Sequence, residues 1–181
     1  MKSLRRIFVK SNTDLFQESD SLANLATNVN VAKCANAESA YKTLVTYAIE
    51  ELNLPNVAVY LNAGHAGLLG WTGNITPAAQ LFGTLYANAG KPAVVRGLAT
   101  NVANYDAWSI STCPSYPSGH SNRDEEIYIN ALAPLLETNG FLVHFITDTC
   151  IHGPHTIVKK KVLTKFCSPQ RCSTYQAKPM V

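Results

Sequence analysis

Three features of the 181-residue chain predict an α/β fold built on a parallel sheet. Amphipathic segments with helical spacing alternate with short apolar runs rich in β-branched residues. Each apolar run ends in polar residues, at Asn62, at Thr100-Asn101 and at Thr147-Asp148. The order helix, strand, helix, strand, helix, strand needs crossover connections, which make the strands parallel in either a barrel or a doubly wound sheet. At this length one domain with a sizeable core is expected.

The first helix is predicted from about Ala37 to Leu52. Apolar residues recur there at 41, 44, 45, 48, 49 and 52, and Pro55 stops it. A strand over 57–61 follows, alternating Val57, Val59 and Leu61 with Ala58 and Tyr60. "NITPAAQLFGTLYANAG" reads as the next helix, with Thr76 as N-cap, Pro77 in the first turn and Gly90 past the end. Residues 93–99 form the second strand. "NRDEEIYINALAPLLETNG" is the third helix, acidic in its first turn and closed by Asn139-Gly140. A strand over 141–147 completes the series. The residues before Glu18 and after Asp148 show neither helical nor alternating pattern.

The charge is unevenly placed. Residues 149–181 carry five Lys, one Arg and no acid, so +6, leaving nine basic against twelve acidic residues elsewhere, a net of −3. The basic segment has no glycine-aromatic patterning, heptad or finger framework, so nucleic acid is not an expected partner. No apolar run is long enough to span a bilayer, and no membrane partner is expected. "MKSLRRIFVKSNTD" begins like a signal peptide, but only Ile7, Phe8 and Val9 stand where an apolar core should follow, so it is not read as one. Five cysteines are too few for a disulfide scaffold. Cys167 and Cys172 with His152 and His155 match no usual zinc spacing, and neither a metal nor another cofactor is expected.

In parallel α/β folds the C-terminal ends of the strands carry the site, so the three polar endings should converge. No Gly-x-Gly-x-x-Gly or Walker A run follows a strand, which argues against nucleotides. The first strand runs instead into "NAGHAGLLGW", a glycine-loosened loop with Asn62, His65 and Trp71. Upstream, Asp20 in "ESDSLANLATN" reads either as an N-cap for a helix starting at Ser21 or as a working carboxyl. His65 alone suits a loop or core histidine, and Trp71 alone suits a core. Together they suit a sugar, which is bound by aromatic stacking on its apolar faces and by amide and imidazole hydrogen bonds to its hydroxyls. Glycosidic bonds are broken by paired carboxyls.

"SDSLANLATN", "CANAESAY", "LNLPNVAVYLNAGHAGLLGW", "PAAQLF", "RGLATNVANY" and "LAPLLETNGF", taken in order, resemble glycoside hydrolase family 6, which contains fungal cellobiohydrolases and related endoglucanases. The resemblance runs from about Glu18 to Asp148. It implies part of a distorted, seven-stranded relative of the TIM barrel that hydrolyses β-1,4-glucan with inversion. Asp20 matches the proton donor, with Ser19 in place of the family's proline. His65 matches a histidine that hydrogen-bonds glucose, and Asn104 a sugar-binding asparagine. Of two cleft tryptophans, one is kept as Trp71 and the other falls on Leu68. Asn62 stands where the family has aspartate, and the cysteine that would pair with Cys34 has no counterpart.

The organisation expected from this resemblance is a divergent leader over 1–17, the central part of the catalytic domain over 18–148, and an unrelated, disordered basic tail over 149–181. The chain is thus expected to be a shortened barrel, its substrate cellulose or cello-oligosaccharides, its state monomeric and its family secreted. A glucan-binding remnant without catalysis, or a non-functional fragment, is the competing expectation. Asn74-Ile75-Thr76 is a glycosylation sequon, disfavoured by Pro77.

Overall fold

The computed structural model describes residues 13–17, 21–102, 104–110, 122–148 and 156–158. Five strands form one sheet in sequence order. They are β1 (Thr13–Gln17), β2 (Val57–Asn62), β3 (Val95–Thr100), β4 (His144–Thr147) and β5 (Thr156–Val158). The first four run parallel and β5 pairs antiparallel with β4. The helices are α1 (Ser21–Asn28), α2 (Ala32–Glu51), the single turn α3 (Ala66–Leu69), α4 (Thr72–Asn88) and α5 (Glu125–Thr138). The expected α/β fold with a parallel sheet is therefore the fold observed.

One face of the sheet is covered by helices. Leu61, Leu98 and Phe145 sit side by side in register across β2, β3 and β4 and are buried under α4 and α5. Those helices supply Ile75, Ala78, Ala79, Phe82 and Leu85, and Tyr128, Ile129, Leu132 and Leu136. Truncating a buried leucine such as Leu132 to alanine would cost about 2–5 kcal/mol. The opposite face buries a smaller cluster of Tyr60, Ala99 and Ile146. Gly97 lies between Tyr60 and His144 in the register. A Cβ there would sit 1.8 Å from the His144 carbonyl oxygen, so only glycine lets β3 and β4 approach.

Several local expectations change. Helix α4 starts at Thr72 after Trp71, one turn before the expected cap at Thr76. Burial of Ile75 and a bond from Asn74 Nδ2 to the Leu68 carbonyl hold the extra turn. Pro77 therefore lies inside the helix, on its exposed side, where the bond its missing N–H would have made to the Gly73 carbonyl is lost at the surface and not in the core. Helix α2 begins five residues earlier than the sequence pattern suggests, and Leu44 of its apolar stripe is 63% exposed. Helix α5 starts as expected: Asp124 Oδ1 accepts Ile127 N–H at 2.9 Å, and Glu125 and Glu126 occupy the first turn. Gly140, at φ 74°, follows its C-cap Asn139. Strands β1 and β5 fall in the stretches 1–17 and 149–181, where no element was expected. Both are defined by pairing to β2 and β4, a non-local ladder that leaves no periodic trace in so short a segment.

Candidate functional site

The polar strand endings converge. Thr100 and Thr147, paired in register, bring their hydroxyls to 2.9 Å. Asn101 follows β3 in the left-handed region, at φ 60°. From there its backbone N–H reaches the Gly64 carbonyl at 2.7 Å, and its side-chain amide donates to the carbonyls of Asp106 and Asp148 at 2.8 and 2.7 Å. Its Oδ1 accepts Asp106 N–H at 3.0 Å. One buried amide thus ties together the segments that leave β2, β3 and β4. Asn62, also buried, accepts Gly64 N–H on Oδ1 at 2.7 Å and turns the chain off β2.

The loop so positioned carries His65 and Trp71. His65 is the N-cap residue of α3, and its Nδ1 lies 2.7 Å from Asp106 Oδ2. The same carboxylate oxygen accepts Gly67 N–H at 2.7 Å. Gly67 in turn accepts Trp71 Nε1–H on its carbonyl at 2.9 Å. Histidine and tryptophan are thereby joined through one glycine and one aspartate. A Cβ on Gly67 would stand 3.1 Å from the His65 ring and 3.2 Å from Asp106 Oδ2, so the contact leaves little space for a side chain. A carboxylate on Nδ1 favours the tautomer protonated there and makes Nε2 the acceptor of a neutral ring. Trp71 is 37% exposed, and nearby Tyr105 is 61% exposed.

From beneath, α5 holds the same loop. Tyr128 donates to the Ala63 carbonyl at 2.8 Å, and Glu125 Oε1 accepts Ala66 N–H at 2.6 Å. Both side chains are fully buried. Burial is the main reason the Glu125 carboxyl is pushed up to about 7, with nearby Asp106 adding to the rise. The Ala66 N–H, the neighbouring Thr100 hydroxyl and His65 act in the opposite direction.

The residues singled out from sequence thus have different settings. His65 and Trp71 stand together. Asn104 is half-buried on the turn after β3, its Nδ2 donating to the Val102 carbonyl at 3.2 Å, and that turn joins the His65 loop through Asn101 and Asp106. Leu68 is half-buried and packs on the helix-side core. Asp20 lies outside the described residues, between the end of β1 and Ser21 in the chain. His152, His155, Cys167 and Cys172 also lie outside them. Among the described residues Cys34 forms no disulfide. Asn74 of the sequon sits in the first turn of α4 with its amide already bonded to Leu68.

Sequence reasoning missed Asp106, Asn101 as a structural tie, and Glu125 as anything beyond an acidic helix start. Only Glu125 left a usable signal, its three-residue spacing from Tyr128 on one helix face.

The parallel sheet thus presents a braced histidine and a partly exposed tryptophan on the loop that leaves the C-terminal end of β2. The model of the family described as glycosyl hydrolases family 6 matches residues 3–174. The chain is 66% identical over 142 residues to a probable 1,4-beta-D-glucan cellobiohydrolase C of Aspergillus fumigatus, covering 78% of this chain and 31% of that protein. It is 61% identical over 154 residues to the 1,4-beta-D-glucan cellobiohydrolase C of Emericella nidulans, covering 83% and 34%. Its fold matches the catalytic core domain of the cellobiohydrolase Cel6A from Chaetomium thermophilum with a TM-score of 0.78 and 57% identity, covering 82% of this chain and 41% of that one. Cellobiohydrolase II from Humicola insolens, solved with glucose and cellotetraose, matches equally well in fold at 54% identity, with the same coverages. This chain belongs to glycosyl hydrolases family 6. It spans about a third of the length of these cellobiohydrolase relatives.

Proposed function

We propose that the protein hydrolyses β-1,4-glucosidic bonds in cellulose or cello-oligosaccharides with inversion at the anomeric carbon. The observation that carries this reading is the loop after β2, where Asp106 braces His65 and Gly67, and Gly67 accepts the indole N–H of Trp71. Such a loop offers a stacking face and a directed imidazole to a glucose unit. Membership of the family and the cellobiohydrolase relatives support the same substrate.

In this mechanism Asp20 donates a proton to the glycosidic oxygen as the bond from that oxygen to the anomeric carbon breaks, while water attacks that carbon from the opposite face and passes its extra proton to a base or to solvent. His65, Trp71 and Asn104 hold the glucan, and Leu68 occupies the place of a second cleft tryptophan. The central segment 18–148 forms part of a distorted seven-stranded barrel. The protein acts as a secreted monomer on β-1,4-glucan, with no cofactor, nucleic acid or membrane partner.

Cellohexaose offered to the full chain tests the proposal. Release of reducing ends that begin as the α-anomer in proton NMR, and that disappear in Asp20→Asn, would support it. Binding without release would make the protein a non-catalytic glucan binder. Neither binding nor release would sink both readings.

A further inference from the structure

The first turns of α5 place two fully buried side chains, Glu125 and Tyr128, on one face beneath the loop of His65 and Trp71. Tyr128 spends its single donor on the Ala63 carbonyl. Glu125 spends only one of its two oxygens: Oε1 takes Ala66 N–H, while Oε2 is buried with no hydrogen-bond partner. Packing alone does not explain a carboxyl here, because an apolar side chain of similar volume would fill the space without a desolvation cost. Its one bond is to the residue that follows His65, in the first turn of α3.

We propose that Glu125 is a positioning residue for the sugar-binding loop, a buried carboxyl that sets His65 through Ala66 and couples a proton to the loop's geometry. The inference rests on reading that loop as a glucan contact. Protonated, Glu125 satisfies Ala66 and carries no charge. Ionised, it buries a charge that only the Ala66 N–H and the Thr100 hydroxyl are placed to meet, which leaves most of its desolvation cost standing. Asp106, on the segment after β3, faces it with like charge, and His65 on the loop opposes that effect. Thr100 at the end of β3 contributes a hydroxyl, and Tyr128 lies along the same helix. Asp124, one residue before it, is committed to the Ile127 and Ile110 N–H groups. The carboxyl changes state around pH 7. Above that pH the loop must shift or admit water to solvate the charge, and His65 moves with it.

The test uses the full chain as wild type, Glu125→Gln and Glu125→Ala. Cellotetraose affinity is measured by calorimetry at pH 5.5, 7.0 and 8.5, and the Ala66 and Gly67 amide signals are followed by NMR over the same range without sugar. In the wild type the Ala66 amide should titrate near pH 7 and affinity should fall about tenfold from pH 5.5 to 8.5. Glu125→Gln, a neutral side chain with the same acceptor, should keep the acid-side affinity and flatten both curves. Glu125→Ala should bind more weakly at every pH. If Glu125→Gln keeps the full wild-type profiles, the proton belongs to another group and the proposal is overturned. An Ala66 titration abolished by Glu125→Gln, with no cellotetraose bound at any pH, would uphold the proton coupling and overturn the glucan reading.

Discussion

His65 Nδ1 and Asp106 Oδ2 lie 2.7 Å apart although the two residues are separated by 41 positions in the chain. The aspartate also holds Gly67 N–H, so one carboxylate fixes both a ring and the backbone beside it. Asp106→Ala should lower cello-oligosaccharide affinity about tenfold, equivalent to about 1.4 kcal/mol. It should cost roughly 1–2 kcal/mol of stability through the lost bonds. Asp106→Asn keeps an oxygen for Gly67 and should recover most of the stability without the carboxylate on His65. Calorimetry with cellotetraose and urea unfolding separate the two effects.

Trp71 is more exposed than the core aromatics, so its loss should be felt in binding more than in folding. Trp71→Ala is expected to weaken cellotetraose binding by about tenfold, with the unfolding free energy changed by about 1 kcal/mol from the lost bond to Gly67. Trp71→Phe restores a stacking face without the N–H, and should recover most of the affinity. Equal affinity in all three proteins would remove Trp71 from the site.

Stability should depend on pH through Glu125. Its folded value near 7 lies above the ordinary 4.5, so the folded state holds the proton more tightly than the unfolded chain. The resulting stabilisation is fully present below pH 4.5 and is lost as pH rises to about 7, by about 3 kcal/mol. Urea unfolding of the wild type and Glu125→Gln at pH 4.5, 6 and 7.5 measures it. The difference in stability between the two proteins should shift across that window and level off above it.

Gly97→Ala sets a methyl against the His144 carbonyl and can be accommodated only by parting β3 from β4. A destabilisation of roughly 3 kcal/mol is expected. Gly73→Ala, where the added methyl meets nothing, should be neutral or slightly stabilising. A pair of melting curves decides the comparison.

Asn101 accepts one bond and donates two from its side chain while holding a left-handed backbone. Asn101→Ala should cost roughly 2–3 kcal/mol, because the part-buried carbonyls of Asp106 and Asp148 lose their donor. Asn101→Gly relieves the backbone but not the carbonyls, and should fall no more than about 1 kcal/mol above the alanine variant. Denaturant midpoints of the two variants check the order.

What the amino-acid order settled by itself was local. A spacing of about 3.6 marked α2, α4 and α5, because burial of one helix face leaves its period in the side chains, and short apolar runs marked β2, β3 and β4, which are buried on both faces of the sheet. The acidic first turn and Asn139-Gly140 marked the ends of α5, because carboxylates favour a helix start and a glycine after the last turn takes the left-handed φ that ends it. The stretch from Asn62 to Trp71 stood out because glycines, a histidine and a tryptophan at a strand end have no core role in common. Tertiary structure alone decided the partners of that stretch. Strands β1 and β5 exist through ladders to distant residues, and helix α4 gained a turn because Ile75 finds the core. Asp106 and Glu125 are ordinary acids in their own segments. They become the two supports of the His65 loop only when β3 and α5 are folded against it, since a hydrogen bond depends on where two atoms meet and carries no mark of their separation along the chain.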